Sequence, residues 1–198
     1  MSNVLIVYAT KEGQTERIAR CMRDALAASG HSVELVDADH EAPPSDLARF
    51  QAVAVGGPIH AGGYPRSIER FARENRRLLA SVRSAFFSVG LAVASRTSDG
   101  RAQTMALVRK FEARTGWRPQ HVELIAGALP YSKYNFLVRY VMRRIAEKEG
   151  GDTDTSRDYE YTDFPAVERF ARELATPSPA RDAADTRQPL LSQPVGSL

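Results

Sequence analysis

The chain has 198 residues, which is enough for one α/β domain with its own hydrophobic core. Its net charge of +3 is too small to predict a nucleic acid partner, and its single cysteine, Cys21, excludes an internal disulfide and fits a reducing compartment. No stretch reaches the roughly 20 apolar residues that a membrane-spanning helix needs, and the N-terminus shows no basic-then-apolar signal sequence.

The N-terminal segment carries the first chemical signal. Residues 4–7 are all apolar, which predicts a strand buried on both faces of a parallel sheet. This strand leads into a polar loop with one glycine, residues 10–15, and then into a helical pattern. Unpaired N–H groups and the dipole at a helix start attract anions, so the loop predicts a phosphate site. Its spacing matches neither the dinucleotide fingerprint nor a Walker loop, and an ordinary strand-to-helix turn is the alternative.

The rest of the chain alternates between helical and strand patterns. The predicted elements are a helix at 14–28, strands at 33–36 and 50–57, a helix that opens at Pro65 and continues through Leu79, a strand at 85–89, a helix at 101–114 and a strand at 122–126. This alternation predicts an α/β fold with a doubly wound parallel sheet. Ligands of such sheets bind outside the carboxyl ends of the strands, where loops 9–15, 58–64 and 90–98 converge.

Two segments do not belong to a minimal five-stranded domain. We predict one domain over residues 1–176 with an amphipathic helical insert at 127–155, followed by a proline-containing disordered tail at 177–198. In the insert, Tyr131 and Tyr134 fall on an apolar face, whereas Arg139, Arg143 and Arg144 fall on the other. This pattern suits an anionic membrane surface or a large apolar ligand with carboxylates, and a surface helix packed on the sheet is the alternative.

Several motifs of the second half occur in a fixed order: Trp117-Arg118-Pro119, Ile125-Ala126-Gly127-Ala128-Leu129, Tyr131 with Tyr134, the run 150–155, and Tyr161-Thr162-Asp163-Phe164. Together with the loop at 10–15, this ordered set resembles the flavodoxin-like, quinone-dependent protoporphyrinogen IX dehydrogenases over residues 3–174. The resemblance implies a flavodoxin-like sheet with strand order 2-1-3-4-5 and a helical insert after the fifth strand.

The resemblance also implies a reaction. Members of this family use FMN to oxidise protoporphyrinogen IX to protoporphyrin IX in haem biosynthesis, and they pass the electrons to a respiratory quinone, menaquinone or ubiquinone. It implies an enzyme on the cytoplasmic side, peripheral to the inner face of the cell membrane. It implies no catalytic side chain, because hydride transfer to a flavin needs positioning and proton escape more than a fixed base.

The same resemblance assigns residues to sites. The FMN phosphate would be held by Thr10, Lys11, Glu12, Gly13, Gln14 and Thr15. The flavin ring would be flanked on one side by Pro58, Ile59, His60, Ala61 and Gly62, and on the other by Val89, Gly90, Leu91, Ala92, Val93, Ala94 and Ser95. Substrate or membrane would be met by Tyr131, Tyr134, Arg139, Arg143 and Arg144.

Two positions depart from the family pattern. Ala61 stands where an aromatic residue is expected to cover the flavin ring, which leaves His60, Tyr64 or only backbone for that role. Phe164 stands where the pattern has tryptophan, which is a conservative change in packing.

Other functions remain compatible with the same fold. A flavodoxin-type electron carrier is one alternative, although such carriers are typically acidic and have no use for a cationic insert. An NAD(P)H-dependent quinone or metal reductase is another, although the sequence shows no second nucleotide site. A regulatory or membrane-docking module without flavin is a third. The sequence leaves open whether the protein forms a homo-oligomer.

Overall fold

The computed structural model describes residues 1–95, 99–129 and 154–176. Its strands are β1 Asn3–Tyr8, β2 Ser32–Asp37, β3 Ala52–Pro58, β4 Arg83–Gly90, β5 His121–Ala126, β6 Ala128–Leu129 and β7 Tyr159–Glu160. Its α-helices are α1 Gln14–Ala28, α2 Arg66–Glu74, α3 Arg76–Ser81, α4 Asp99–Thr115 and α5, Phe164–Ala175. Short 3₁₀ helices lie at Leu47–Arg49 and Leu91–Ala94.

Strands β1 to β5 form a parallel sheet in the order β2-β1-β3-β4-β5, which confirms the predicted topology. The order reverses between β1 and β3, so the loops that follow these two strands border the switch point. Strand β1 is central, and its side chains from Val4 to Val7 are fully buried. Burial on both faces explains why this strand reads as a continuous apolar run.

Each face of the sheet has its own hydrophobic layer. Helices α1 and α5 cover one face, where Ile18 and Phe170 pack with Ile6 of β1. Helices α2, α3 and α4 cover the other face, where Ile68 and Phe111 join the core. The second layer is aromatic: Phe86 and Phe111 stack at 4.4 Å, and Trp117 meets both rings edge-on at 6.2 Å.

The predicted helix from Pro65 through Leu79 is wrong in one respect, because the structure has two helices here. Helix α2 ends at Glu74 and α3 begins at Arg76. Between them, the side-chain amide of Asn75 donates to the carbonyl oxygen of Phe71 at 2.9 Å. Asparagine favours such local bonds to the backbone over continuation of a helix, which gives a physical reason for the break.

The segment after β5 begins with an element that the sequence did not predict. Strand β6 lies inside the predicted insert and pairs antiparallel with β7, with Ala128 opposite Glu160 and Leu129 opposite Tyr159. The start of the insert therefore pairs with the chain shortly after its end, in a two-stranded ribbon that we call the β6–β7 ribbon. The predicted helical part of the insert and the predicted tail lie outside the described residues. Within the described ranges, no helix combines the length and apolar character needed to cross a bilayer.

Candidate functional site

Three loops lie side by side at the carboxyl edge of neighbouring strands β1, β3 and β4. The Ala9 N–H donates to the carbonyl oxygen of Gly56 at 3.2 Å, which ties the first loop to the end of β3. The Ile59 N–H donates to the carbonyl oxygen of Val89 at 2.8 Å and so joins the second loop to β4. The structure thus brings together the residues predicted to hold a phosphate and those predicted to flank a flat ring. We call these the phosphate loop (10–15), the β3 loop (58–64) and the β4 loop (89–95).

The phosphate loop is shaped by one glycine and one hydroxyl. Gly13 has φ +87°, in the left-handed region, and its N–H donates to Thr10 Oγ1 at 3.0 Å. Helix α1 begins at the next residue, so the N–H groups of its first turn have no partners within the helix. Thr15 is buried in that turn, whereas Lys11 and Glu12 are exposed. The donors of this loop fit a phosphate, since helix N-termini favour negative charge.

Gln14 directs its side chain away from the phosphate loop. Its amide nitrogen donates to Glu160 Oε1 and to Thr162 Oγ1, each at 2.8 Å. Arg17 completes the group, with Nη1 at 2.6 Å from Glu160 Oε2. Only the backbone N–H of Gln14 is then left to serve a phosphate. Sequence reasoning missed Glu160 because its partners lie more than 140 residues away, and no local pattern signals such a contact.

This geometry predicts different effects at two positions of the phosphate loop. Given the FMN phosphate site that the sequence predicts here, replacing Gln14 with alanine should change FMN affinity by less than about threefold, because its side-chain bonds go to the ribbon. Replacing Thr10 with alanine should weaken FMN binding by about fivefold, since a hydrogen bond is worth about 1 kcal/mol. Fluorescence titration of the apoprotein with FMN measures both, and a larger loss for Gln14→Ala than for Thr10→Ala would contradict the geometry.

The β3 loop is a two-residue hairpin. His60 and Gly63 exchange backbone hydrogen bonds at 2.9 and 3.1 Å, while Ala61 and Gly62 have φ of 48° and 75°. Positive φ at both central residues is the pattern of a tight type I′ turn, which favours asparagine or glycine at the place that Ala61 occupies. The hairpin leaves His60 exposed at its base.

Ala61→Gly should raise the free energy of unfolding by about 1 kcal/mol, because glycine adopts positive φ without the Cβ clash. The matched change Ala106→Gly, at an exposed position within α4, should lower it by about 0.5–1 kcal/mol. Urea denaturation compares the two. Equal destabilisation by both substitutions would show that the turn carries no strain at Ala61.

Tyr64 does not take the role of covering the ring. Its side chain is only 8% exposed, its ring lies edge-on to Phe86 at 5.0 Å, and its hydroxyl is hydrogen-bonded to Ser88 Oγ at 2.8 Å. Burial raises the pKa of Tyr64 to about 12. The ring therefore belongs to the aromatic core, and His60 or backbone remains to contact a ligand ring on this side.

The buried hydroxyl predicts a pH dependence of stability. In the unfolded chain Tyr64 ionises near its reference pKa of 10.0, but in the folded protein only near 12. The contribution of Tyr64 to the free energy of unfolding is therefore complete below pH 10 and is lost as the pH rises towards 12. The whole loss is about 2–3 kcal/mol. Urea denaturation at a series of pH values should show a shallower fall for Tyr64→Phe than for the wild type. Identical slopes would refute this account of the hydroxyl.

The β4 loop is more regular than the sequence predicts. Val89 and Gly90 end β4, residues 91–94 form one 3₁₀ turn, and the Ser95 N–H donates to the carbonyl oxygen of Ala92 at 3.1 Å. A methyl group on Gly100, at the start of α4, would lie 2.0 Å from that same oxygen. Helix α4 thus packs directly on the loop, and only glycine leaves room for this approach.

The β6–β7 ribbon contacts both the phosphate loop and the β4 loop. On one side Glu160 accepts a hydrogen bond from the side-chain amide of Gln14. On the other side the buried Leu129 packs with Leu91 of the β4 loop and with Tyr159. The Thr162 hydroxyl donates to the carbonyl oxygen of Ala126 at 2.7 Å and fixes the ribbon to the end of β5. The start of the insert and the chain that follows the insert are therefore anchored at the edge of the candidate site.

A cleft of about 450 Å³ lies beside the β4 loop. Val93 and Ala94 form one wall, Ile125 and Val167 another, and Arg101 lies at its margin. Its volume is in the range of small-molecule sites. In the described part of the chain, no group of three or more histidine, cysteine or acidic side chains could hold a metal ion.

The predicted insert residues Tyr131, Tyr134, Arg139, Arg143 and Arg144 lie outside the described residues, and their roles stay predictions. Cys21 is half-buried on α1, and burial raises the pKa of its thiol. A raised pKa keeps the thiol protonated near neutral pH, so Cys21 fits a structural role better than that of a nucleophile.

Comparison with known proteins decides the family. A family model described as a flavodoxin domain matches residues 5–156. Protoporphyrinogen IX dehydrogenase [quinone] of Escherichia coli strain K12 is 34% identical over 171 residues, which cover 86% of this chain and 93% of that protein. The chain belongs to the flavodoxin-like protoporphyrinogen IX dehydrogenase family. The predicted resemblance and the predicted class, an oxidoreductase of flavodoxin-like fold, are confirmed.

Further relatives agree with this family. The Leishmania major protoporphyrinogen IX dehydrogenase [quinone] is 33% identical over 175 residues, which cover 86% of this chain and 74% of that protein. Among solved structures, a short-chain flavodoxin associated with a PDU bacterial microcompartment superposes with a TM-score of 0.52 at 15% identity, covering 88% of this chain and 97% of that one. Flavodoxin 2 of Bacillus cereus gives 0.52 at 18% identity, covering 88% and 98%. These two likenesses show the fold of the family.

Proposed function

We propose that this dehydrogenase-family chain oxidises protoporphyrinogen IX to protoporphyrin IX, with FMN as its flavin and a respiratory quinone as its electron acceptor. The observation that carries the proposal is the meeting of the phosphate, β3 and β4 loops at one edge of the sheet in a chain 34% identical to the Escherichia coli enzyme. A mononucleotide needs such an edge, because its phosphate and its ring must be held by different loops.

The phosphate end of FMN would be held by the first-turn N–H groups of α1 and by the hydroxyl groups of Thr10 and Thr15. The left-handed Gly13 turns the loop so that these donors can face one point. The ring would lie between His60 on the β3 loop and the 3₁₀ turn of the β4 loop. Backbone N–H groups at such an edge tune the redox chemistry of the ring.

Bound FMN supplies the two-electron chemistry, and the residues of the chain supply orientation. Complete oxidation removes six electrons and six protons from the macrocycle, so three turnovers reduce three quinones to quinols. We assign no side chain as a fixed base, because hydride transfer depends chiefly on alignment. The insert residues Tyr131, Tyr134, Arg139, Arg143 and Arg144 are proposed to meet the macrocycle or a membrane, since guanidinium groups bind carboxylates and phosphates in bidentate fashion.

An anaerobic assay tests the proposed reaction. The FMN-loaded protein is mixed with protoporphyrinogen IX and a water-soluble quinone analogue, and protoporphyrin fluorescence is followed. We expect fluorescence to grow only when protein, FMN and quinone are all present, and we expect no oxidation of NADPH in a parallel sample. Quinone-dependent NADPH oxidation without porphyrin formation would instead identify an NAD(P)H-dependent quinone reductase.

A further inference from the structure

The cleft of about 450 Å³ shares one loop with the site proposed for FMN. Val93 and Ala94, which are predicted to flank the flavin ring, also line this cleft. Its other walls come from the carboxyl half of β5 and from the first turns of α4 and α5. Strand β5 is the last strand in the order of the five-stranded sheet, so the cleft lies at an edge of the sheet. A molecule held there would contact the same loop as the flavin ring.

Two facing walls of the cleft present apolar side chains. Ile125 of β5 and Val167 of α5 are almost fully buried, with 5% and 2% of their surface exposed. Val93 and Ala94 of the β4 loop are partly exposed. Walls of this kind suit a flat apolar ring, because the ring and the exposed parts of these side chains leave water together when the ring binds.

Three charged side chains line the cleft, and only one of them has its hydrogen-bonding groups free. Glu123 Oε2 lies 3.2 Å from His121 Nε2, and Asp163 Oδ1 accepts a hydrogen bond from the Ala166 N–H at 3.0 Å. Arg101 is exposed and has no hydrogen-bond or ion-pair partner within the described residues. The cleft therefore offers an unpaired donor, whereas both of its carboxylates are engaged. This favours a ligand with acceptor oxygens over one with amino groups.

We propose that this cleft binds the ring of the quinone that accepts the electrons. A quinone ring is flat and has two carbonyl oxygens that accept hydrogen bonds, so it matches the apolar walls and the Arg101 guanidinium. The choice of a quinone rests on the proposed function. Each turnover takes two electrons and two protons from the macrocycle and delivers them to the two quinone oxygens, which become hydroxyl groups, while the flavin returns to its oxidised form. The electrons cross the β4 loop, and the protons pass through solvent.

Equilibrium dialysis with tetramethyl-1,4-benzoquinone tests the site. Each ring carbon outside the carbonyl groups carries a methyl group, so the probe resists addition of the Cys21 thiol. The full chain is used without FMN, with FMN, and with FMN and protoporphyrin IX together. We expect the same affinity in all three states, because the cleft is separate from the place of the flavin and of the macrocycle. Displacement of the probe by FMN or by protoporphyrin IX would put the quinone at the flavin edge and overturn the proposal.

Two variants change the cleft itself. Ala166→Trp places an indole ring in the cleft and should weaken binding of the probe by at least about tenfold, whereas Arg101→Met removes the donor and should weaken it by about fivefold. The matched controls are Ala27→Trp on α1 and Arg109→Met on α4, both at exposed positions, and they should bind like the wild type. Arg101→Met changes only an exposed side chain, so it tests the site even where Ala166→Trp disturbs folding. Wild-type binding by Arg101→Met, or equal losses in variants and controls, would overturn the proposal.

The dialysis result is independent of turnover, which separates this proposal from the proposed reaction. Binding of the probe needs neither flavin nor protoporphyrinogen IX, so a cleft-dependent loss supports the site even in a protein that does not oxidise the macrocycle. Turnover with a quinone analogue in a protein that does not bind the probe would support the reaction and overturn the site. Where both hold, Ala166→Trp should raise the quinone concentration for half-maximal rate by the same factor as it weakens binding.

Discussion

Replacing Gly13 with alanine is expected to weaken FMN binding by about five- to thirtyfold, because any L-residue at φ +87° costs about 1–2 kcal/mol. The added methyl group would meet no atom within 4 Å, so the effect arises from the backbone alone. To escape the strain, the loop would have to turn its peptide groups and so redirect the donors at the start of α1. Titration of the apoprotein with FMN, followed by flavin fluorescence, measures the loss.

Gly30 provides a matched control at the other end of the same helix. It has φ +82°, and a methyl group there would also meet no atom within 4 Å. Gly30→Ala should therefore destabilise the apoprotein by a similar amount, about 1–2 kcal/mol, and leave FMN affinity unchanged. If both variants lost FMN affinity equally, the effect would be one of general stability, and Gly13 would have no special part in binding.

Gly100→Ala is expected to disturb the β4 loop and to lower both stability and FMN affinity. The new Cβ would lie 2.0 Å from the Ala92 carbonyl oxygen and 2.8 Å from Ser95 Cβ, so helix and loop must separate. Forcing a methyl group into a packed contact typically costs 1–3 kcal/mol, about 2 kcal/mol here. Because the obstacle is backbone, a side-chain rotation cannot relieve it. Affinity should fall by about fivefold if half of this cost appears in binding.

Ala102→Ser is the control for this substitution. It adds one heavy atom in the same turn of α4, at an exposed position. Thermal unfolding of the apoprotein and FMN titration should both match the wild type. A Gly100→Ala protein with wild-type stability and affinity would show that α4 does not hold the β4 loop in place.

The core of the fold follows from simple sequence patterns. The strand at β1 is an unbroken apolar run because it is buried on both faces, and α1 follows the period of Ile18, Met22, Ala25 and Leu26. The limits of α1 agree with the prediction at both ends. The sequence pattern did not predict the break between α2 and α3 at Asn75. The apolar stripe is continuous there, and the break comes from one side-chain hydrogen bond of Asn75 to the Phe71 carbonyl oxygen.

The candidate site was predictable only in part, for a physical reason. A loop between a buried strand and the start of a helix carries its N–H and hydroxyl donors within a few consecutive residues. Residues 10–15 can therefore be recognised from the sequence as a candidate phosphate site. The contacts of Glu160 with Gln14 and Arg17 are non-local, and strands of two residues such as β6 and β7 give no periodic signal. The closeness of Gly100 to Ala92 likewise arises only when α4 folds back along the sheet.

The charge of the helical layers shows the same limit. A net charge of +3 over 198 residues predicts little about partners. Once the topology assigns α2, α3 and α4 to one face, exposed cations such as Arg70, Arg73 and Arg77 are seen to gather there without acidic partners among the described residues. Composition averages over both faces, so this asymmetry emerges only from the fold.

The most direct measurement of the central claim is a pair of anaerobic half-reactions on the purified protein. The FMN-loaded protein is mixed first with protoporphyrinogen IX and then with a quinone analogue, while flavin absorbance and porphyrin fluorescence are recorded together. We predict that the yellow absorbance bleaches when protoporphyrinogen IX is added. The quinone should then restore it while porphyrin fluorescence rises, because complete oxidation of the macrocycle needs three turnovers of the flavin. A protein that stays colourless with added FMN, or whose bound flavin keeps its absorbance in the presence of protoporphyrinogen IX, would contradict the account.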